Sequence, residues 1–177
     1  MSGFFYLENI TKVNRLKLIN CSPAILKWIL DGDDILSQNL EVIVPENWSE
    51  FGFDAFKYSL NVLSETPESQ KWLIYLPIDM KSNTIIGTCG YKGEPKNGSV
   101  EIGYEVVESF RNQGYATEMA KLLIEIAFKE RRIDIIKAHT LTEENPSVKV
   151  LKKCGFFFVK EIFDAEDGKL WEWNLSR

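Results

Sequence analysis

The amino-acid sequence predicts a single-domain α/β protein in which helices flank a mixed β-sheet. Apolar and polar residues alternate over residues 15–21 and 99–107, which is the period-two pattern of half-buried strands. Over residues 115–129 the period lengthens to that of an amphipathic helix. Neither a repeat nor a low-complexity linker divides the 177 residues, which predicts one domain over residues 1–177.

The first half of the chain is predicted to hold one strand, two helices and two further strands. Residues 15–21 form the first strand, and Ser22-Pro23 begins a short helix as N-cap and first helical residue. The aromatic-rich residues 46–63 form the second helix, and residues 72–78 and 84–92 form strands. The first helix buries the apolar residues that recur at helical spacing, Ile25, Leu26, Ile29 and Leu30.

The second half begins with a hairpin connection over residues 93–98 and a fourth strand over residues 99–107. A helix over residues 115–129 and a fifth strand over residues 133–141 follow. Asn145 and Pro146 then begin a helix that ends before Gly155. The chain closes with a hairpin of two strands, residues 156–163 and 170–175. Along the fourth strand, Val100, Ile102, Tyr104 and Val106 share one face, opposite Glu101, Gly103 and Glu105.

The formal net charge of -5 argues against a broad electrostatic interaction with nucleic acid or an anionic membrane. It is compatible with a cationic substrate such as an amine. The three cysteines lie far apart and His139 is the single histidine, so neither a disulfide framework nor a metal site is expected. The N-terminus does not resemble a signal peptide, and no apolar run reaches about 18 residues. A cytoplasmic location is the expectation.

Residues 105–119 are the segment most informative about chemistry. A strand ends there, a short loop brings Arg111 to Gly114, and an amphipathic helix begins at once. Free N–H groups in the first turn of a helix, together with the helix dipole, favour an anion such as a phosphate. Two common phosphate loops, GxxxxGK[ST] and GxGxxG after an early strand, do not match. On this pattern alone, a glycine that serves only to begin a helix remains an alternative.

Arg111-Asn112-Gln113-Gly114-Tyr115-Ala116 resembles the R/Q-x-x-G-x-G/A motif of the GNAT superfamily of N-acetyltransferases. Three flanking segments resemble the branch that contains the ribosomal-protein N-terminal acetyltransferases. They are Glu101-Ile102-Gly103-Tyr104, Ala116-Thr117-Glu118, and the run from Asn145 to Phe156. The resemblance covers residues 84–163 in detail and the first 83 residues only in their pattern.

The resemblance implies a mostly antiparallel sheet whose fourth and fifth strands splay apart to admit acetyl-coenzyme A. Its pyrophosphate would lie on the loop and first helical turn, and its pantetheine arm on the edge of the fourth strand at Val106 and Val107. Asn145 would bond the amide linkage of the coenzyme, and Lys152 would either meet its phosphate or remain a solvated residue. The loop and helix residues implied are Arg111, Asn112, Gln113, Gly114, Tyr115, Ala116 and Thr117.

The implied reaction is direct attack of a neutral amine on the thioester, which needs a proton acceptor and a donor for the leaving thiolate. The resemblance implies Ser147 as that donor, because the tyrosine that many GNAT enzymes carry further along this helix is absent. Glu101 is the first candidate for the base, with a raised pKa or a water relay, and Glu105 the second. His139 is a further candidate, with a packed structural histidine as the alternative.

The acceptor is expected to be a protein N-terminus or a small primary amine, and residues 46–58 are expected to shape its site or simply to join the core. Two other functions stay open at this point. One is a catalytically silent module that binds acyl-coenzyme A, and the other is a nucleotide-binding module that uses the same loop. The branch contains monomers and homodimers, so the sequence predicts either.

Overall fold

The computed structural model describes residues 10–13, 15–50 and 52–177. The described part of the chain forms five helices and one nine-stranded sheet, together with two short 3-10 helices at Pro67–Trp72 and Glu108–Phe110. The helices are α1 (Pro23–Asp31), α2 (Asp33–Leu40), α3 (Gly52–Glu65), α4 (Tyr115–Phe128) and α5 (Pro146–Lys153). The strands are β1 (Ile10–Val13), β2 (Leu16–Asn20), β3 (Ile74–Asp79), β4 (Thr84–Ile85), β5 (Gly87–Tyr91), β6 (Ser99–Val106), β7 (Ile135–Leu141), β8 (Phe157–Asp164) and β9 (Gly168–Ser176).

The sheet has the strand order β1-β2-β3-β5-β6-β7-β9-β8, and β4 pairs with β3 beside this path. Every neighbouring pair in the order is antiparallel except β6 and β7, which are parallel. The predicted mixed, mostly antiparallel sheet is therefore confirmed. The predicted fourth and fifth strands correspond to β6 and β7.

Helices cover the two faces of the sheet at different ends. α4 and α5 pack on one face, where Met119 and Leu151 join the core formed with Ile102 and Ile136. α1 to α3 pack on the other face of the first half of the sheet, through residues such as Leu26 and Phe56. Burial of these apolar side chains stabilises the fold. The opposite face of β6, β7 and β9 carries polar side chains, among them Glu101, Lys137 and Glu172.

Local capping explains where several helices begin. The Ser22 hydroxyl accepts a hydrogen bond from the Ile25 N–H at 3.3 Å, which begins α1 as predicted. Asn145 caps α5 in the same way through the Val148 N–H at 3.0 Å. Among the described residues, no helix has the length and apolar character needed to cross a membrane.

The structure corrects four predicted elements. A strand, β1, precedes the predicted first strand. The helix α2 was not predicted, because Leu36 is its only buried residue and no apolar period marks it. The predicted second helix begins at Gly52 rather than at residue 46. The predicted strand over residues 84–92 divides into β4 and β5 at Ile86, just before Gly87, where a Cβ atom would lie 2.1 Å from the Glu105 carbonyl oxygen. The signal-peptide prediction concerns residues 1–9, outside the described residues.

Candidate active site

A gap opens between β6 and β7 because these two strands pair over only three residues. Their parallel register runs from Ser99↔Ile135 to Glu101↔Lys137, and the described residues of the two strands form no pair beyond it. β6 continues along β5 and β7 continues along β9, so each stays anchored on its outer side. The splaying of these strands, expected from the resemblance, is confirmed.

The main-chain groups of β6 that face the gap can be identified from the hydrogen bonds on its other edge. The Val107 N–H donates to the Ile86 carbonyl at 2.9 Å, so odd-numbered residues here direct their main-chain groups toward β5. Alternation along the strand directs those of Tyr104 and Val106 toward the gap. The Val106 carbonyl accepts a hydrogen bond from Arg111 Nε at 2.9 Å. The Val106 N–H and both main-chain groups of Tyr104 face the gap and can pair with an extended ligand.

Val107 was predicted to share this binding role, and the structure corrects that prediction. Its N–H is bonded to Ile86, and its carbonyl accepts from the Phe110 N–H at 2.9 Å. Both main-chain groups of Val107 are therefore occupied within the protein. Tyr104, two residues before Val106, directs its N–H and carbonyl into the gap, whereas Val107 does not.

The loop after β6 turns twice through the left-handed region before α4 begins. Asn112 has a φ angle of 60° and Gly114 a φ angle of 86°, a region that glycine adopts without strain. Gly114 precedes the helix and has no side chain with which to cap it. The N–H groups of Tyr115, Ala116 and Thr117 in the first turn therefore keep hydrogen-bonding capacity for an anion.

Arg15 supports this loop from the end of the sheet, and no local sequence pattern marks it. Its Nη2 donates to the Gln113 carbonyl, and its Nε contacts Glu118 Oε1 at 2.9 Å. The guanidinium lies 3.9 Å from the centre of the Tyr115 ring, a cation–π contact. Because Gln113 is thus held, the amide groups on either side of Gly114 have a defined direction.

The side chain of Tyr115 anchors the start of α4 rather than facing a ligand. It is buried, and its hydroxyl donates to Asp79 Oδ1 at 2.9 Å. Asp79 Oδ2 accepts from the N–H and hydroxyl of Ser82. Burial raises the pKa of Asp79, but the bonds from Ser82 and Tyr115 and the charge of Arg15 outweigh it and hold that pKa below its usual value. Only the main chain of Tyr115 is left to bind a coenzyme.

The start of α5 faces β6 across the gap. Ser147 is the second residue of α5, and the Tyr104 hydroxyl lies 3.4 Å from the Ser147 carbonyl oxygen. Burial raises the pKa of Tyr104, so this hydroxyl stays protonated. Asn145, two residues earlier, already accepts the Val148 N–H as N-cap. Its cofactor contact therefore remains a prediction that can involve only the rest of its amide group.

Glu101 lies at the closed end of the gap, on the sheet face opposite α4 and α5. Its Oε1 is 2.7 Å from Lys92 Nζ and 2.9 Å from His139 Nδ1. Burial raises the pKa of Glu101, but these two partners outweigh it and lower that pKa below its usual value. Of the two routes predicted for Glu101 as a base, a raised pKa does not agree with this lowered value, and a water relay stays a prediction.

Glu105 lines an acidic cleft of about 410 Å³ beside the open end of β6. The carboxylate of Glu105 accepts from Thr88 Oγ1 at 2.7 Å, Ser49 Oγ at 2.8 Å and the Glu50 N–H at 2.8 Å. These three donors occupy both carboxylate oxygens of Glu105 within the protein, and its role as a base stays a prediction. Three more carboxylates, those of Glu46, Glu50 and Glu108, line the same cleft.

The aromatic residues predicted to shape the acceptor site have other roles. Trp48 and Phe56 are buried, and their ring centres lie 5.5 Å apart in the core. Phe53 and Tyr58 are exposed on α3. Phe51 is outside the described residues. Trp48 also lines the cleft, and the predicted alternative of core residues holds for Trp48 and Phe56 but not for Phe53.

Two predicted cofactor contacts are basic side chains that already have acidic partners. Arg111 pairs with Glu50 as well as with the Val106 carbonyl. Lys152 pairs with Glu144 at 2.6 Å and lies 5.9 Å from the Trp173 ring. Both side chains are largely exposed, where such pairs are worth little and exchange readily. Their contacts with a phosphate therefore stay predictions.

The comparison with family models decides the family. A model described as an acetyltransferase (GNAT) domain matches residues 24–157, about three quarters of the chain. The chain belongs to the GNAT acetyltransferase family. It is 27% identical over 150 residues to the uncharacterized N-acetyltransferase YjdG of Bacillus subtilis, covering 83% of this chain and 89% of that one. The GNAT family accounts for the gap, the glycine loop and α5 occurring together, and the chain is an N-acetyltransferase.

Solved structures of GNAT proteins share this fold. The ribosomal-protein-S5-alanine acetyltransferase from Vibrio fischeri superposes with a TM-score of 0.69 at 16% identity, over 96% of this chain and 97% of that chain. The microcin C7 self-immunity acetyltransferase MccE, solved with acetyl-CoA and AMP, gives a TM-score of 0.66 at 14% identity. That match covers 93% of this chain and 94% of MccE. At such identities the likeness concerns the fold.

Sequence reasoning missed four residues around the gap and its loop: Arg15, Lys92, Tyr104 and Glu172, whose Oε2 lies 3.8 Å from His139 Nε2. Tyr104 could have been found, since it shares a strand face with Val100 and Ile102 and therefore faces α5. The other three act over long separations in the chain. No local pattern marks Arg15 as the partner of a loop about 98 residues away.

Proposed function

We propose that this GNAT enzyme transfers the acetyl group of acetyl-coenzyme A directly to a primary amine. The observation that carries the proposal is the gap between β6 and β7, which opens beside the uncapped first turn of α4. A diphosphate and an extended amide-bearing arm need these two features side by side. A nucleotide alone would use the first turn and leave the gap without a role.

In this proposal the pyrophosphate lies on the amide groups of Asn112 to Thr117, held in direction by Arg15. The pantetheine arm extends along the gap-facing edge of β6, and pairs with main-chain groups of Tyr104 and Val106 as an added strand would. Arg111 must exchange its partner Glu50 for a phosphate when the coenzyme binds. Much of the affinity then comes from the main chain, which explains why few side chains of the loop need to be basic.

The acceptor amine is proposed to approach through the acidic cleft. Glu46, Glu50, Glu105 and Glu108 line this cleft, which adjoins the open end of β6. Their charges would attract an ammonium group, whether it belongs to a protein N-terminus or to a small molecule. The cleft lies on the same side of β6 as Glu101, because Glu101 and Glu105 are four residues apart on one strand face.

Two residues are proposed to move protons during the transfer. Ser147, at the start of α5, would donate to the leaving thiolate, with the Tyr104 hydroxyl beside it. Glu101 would take part in removing the proton of the ammonium group. The chemistry needs both events, since the amine attacks only when neutral and the thiolate leaves more readily when protonated.

The proposal is tested by incubating the protein with acetyl-coenzyme A and a panel of primary amines and N-terminal peptides. The readouts are thiol release and a mass gain of about 42 Da, which is the mass that acetylation adds to any amine. We expect turnover with at least one amine and none with hydroxyl acceptors of the same shape. Coenzyme binding by calorimetry without transfer to any amine would favour the silent module instead.

A thermal-shift comparison separates the proposal from nucleotide binding. At a hundred times its Kd, a ligand that binds only the native state adds roughly 2.7 kcal/mol to the free energy of unfolding. We expect this stabilisation from acetyl-coenzyme A. Stabilisation by ATP or GTP but not by acetyl-coenzyme A would contradict the proposal. A cytoplasmic location, one domain over residues 1–177 and a monomer or homodimer stay predictions.

A further inference from the structure

Three neighbouring strands bring ionisable side chains together on the sheet face opposite α4 and α5. Glu101 comes from β6, His139 from β7 and Glu172 from β9. His139 Nδ1 lies 2.9 Å from Glu101 Oε1, and His139 Nε2 lies 3.8 Å from Glu172 Oε2. The single imidazole of the chain therefore stands between two carboxylates, and its side chain is only 14% exposed.

This group of three, the Glu101–His139–Glu172 cluster, lies at the closed end of the gap. Glu101 is the last residue of β6 that pairs with β7, through Lys137. His139 follows two residues later, where β7 has begun to diverge, and pairs across to Glu172. The cluster thus lies at the closed end of the gap. It is on the same sheet face as Glu105, which lines the acidic cleft.

A purely structural histidine leaves one feature of the cluster unexplained. His139 Nε2 is buried and has no hydrogen-bond partner among the described residues. Leaving a buried polar group unpaired destabilises a fold. Two carboxylates beside one imidazole can balance the charge of a proton that arrives on the ring. The cluster therefore has the arrangement needed to take up a proton, with Glu101 at Nδ1 and Glu172 facing Nε2.

Other charges surround the cluster. Lys92 contacts Glu101 at 2.7 Å, and Lys160 of β8 lies 4.0 Å from Glu172. Lys137 lies on the same face of β7, two residues before His139. The N–H groups of Asp167 and Glu166 lower the pKa of Asp164, at the end of β8, and the charges of Lys92 and His139 add to that effect. Each carboxylate of the cluster thus has a lysine near it, and the imidazole is the remaining group that can take up a proton.

We propose that the proton leaving the acceptor ammonium group comes to rest on His139, passed on by Glu101 and balanced by Glu172. The inference rests on the proposed function. An ammonium N–H bond breaks and its proton moves through the Glu101 carboxylate to His139 Nδ1, while Nε2–H faces Glu172. The neutral amine then forms the C–N bond as the C–S bond breaks. Its second proton reaches the thiolate at the Ser147 side, and the imidazolium releases its proton to water.

The pH dependence of kcat for His139→Asn tests this assignment. The wild type is expected to lose activity toward acid pH, because a proton already on the imidazole blocks the transfer. In His139→Asn this limb should move down by at least one pH unit, and kcat at neutral pH should fall about 100-fold, the usual contribution of a general base. The same acceptor is used throughout, so its own titration cannot produce the difference.

Glu172→Gln gives a second test should His139→Asn fail to fold. Removing the counterion makes the imidazolium less favourable, so the acid limb should again move to lower pH. Lys169→Gln, which breaks an exposed pair with Glu161 on the same hairpin, is the control and should leave the limb in place. Coenzyme affinity by calorimetry should be the same in all four proteins.

A wild type with no acid limb, or variants that lower kcat without moving the limb, would overturn the assignment. Both outcomes would mean that the cluster serves stability alone. They differ from failure of the proposed function, in which the wild type itself acetylates no amine.

Discussion

At the scale of single residues, the proposed proton donor and the proposed proton acceptor lie on opposite faces of the gap. Ser147 and the Tyr104 hydroxyl lie on the side of α5, whereas Glu101 and His139 lie on the opposite sheet face. A thioester held in the gap would have its leaving sulfur on the first side and the attacking amine on the second. In this proposal the donor to the thiolate and the acceptor of the ammonium proton act from opposite faces of the sheet.

Replacing Ser147 with alanine should lower kcat and leave coenzyme affinity nearly unchanged. The substitution removes the donor for the thiolate, an effect of about 100-fold for general acid catalysis, and it removes no main-chain group of the gap. Steady-state kinetics and calorimetry with acetyl-coenzyme A measure the two quantities. Ser64→Ala, a helix serine bonded only to the Asn61 carbonyl, is the matched control. If kcat of Ser147→Ala equals that of the control, Ser147 is not the donor.

At the scale of elements, the junction of β6 and α4 depends on a bend that few residues can adopt. Gly114 has a φ angle of 86°, and a Cβ atom there would lie 3.3 Å from Arg15 Nη2. The same arginine holds the Gln113 carbonyl and pairs with Glu118 in the first turn of α4. Any side chain larger than hydrogen at position 114 would therefore strain the bend and also displace Arg15, which supports it.

Gly114→Val should weaken acetyl-coenzyme A binding while a saturated enzyme still turns over. A β-branched residue at positive φ costs about 1–3 kcal/mol, and relief of that strain would turn the loop amides away from the pyrophosphate. We expect Kd to rise at least about tenfold, the change that about 1.4 kcal/mol produces. Gly168→Val, with a φ angle of 76° and no atom within 4 Å of its Cβ, carries similar strain away from the site. Equal Kd values for the two variants would contradict the role of the bend.

At the scale of the whole molecule, one buried carboxylate connects the sheet with the coenzyme loop. Asp79 ends β3, yet it accepts the hydroxyl of Tyr115 at the start of α4 and two bonds from Ser82. Met80 next to it donates its N–H to the Arg15 carbonyl, so the support of the loop is tied to the same strand end. Stability and coenzyme binding should therefore respond together when Asp79 changes.

Asp79→Asn should destabilise the protein at neutral pH and much less in acid. The pKa of Asp79 is lowered in the fold, so the stability it contributes is present above its unfolded pKa and is lost as pH falls through the folded value. Loss of charged hydrogen bonds should cost about 2 kcal/mol at pH 7. Thermal unfolding from pH 3 to pH 8 measures the difference, with the exposed Asp54→Asn as control. If the difference in Tm between the wild type and Asp79→Asn stays constant down to pH 3, Asp79 is not ionised in the fold.

Features with a local cause could be predicted from the sequence. The caps at Ser22 and Asn145, the bend at Gly114 and the period of α4 each depend on residues within a few positions of one another. Weak local signals failed: α2 buries a single leucine, and β4 and β5 divide at Ile86, an apolar residue that continues the strand pattern. The family motifs likewise lie in short contiguous segments, which is why they identified the loop and α5.

The sequence by itself determined the class of fold, the order of most elements and the loop suited to a diphosphate. Only the tertiary structure decided which main-chain groups face the gap, that Arg15 supports Gln113, and that His139 stands between Glu101 and Glu172. The physical reason is the range of the contacts. Arg15 and Gln113 are 98 positions apart, and the cluster joins three strands that become neighbours only when the sheet forms.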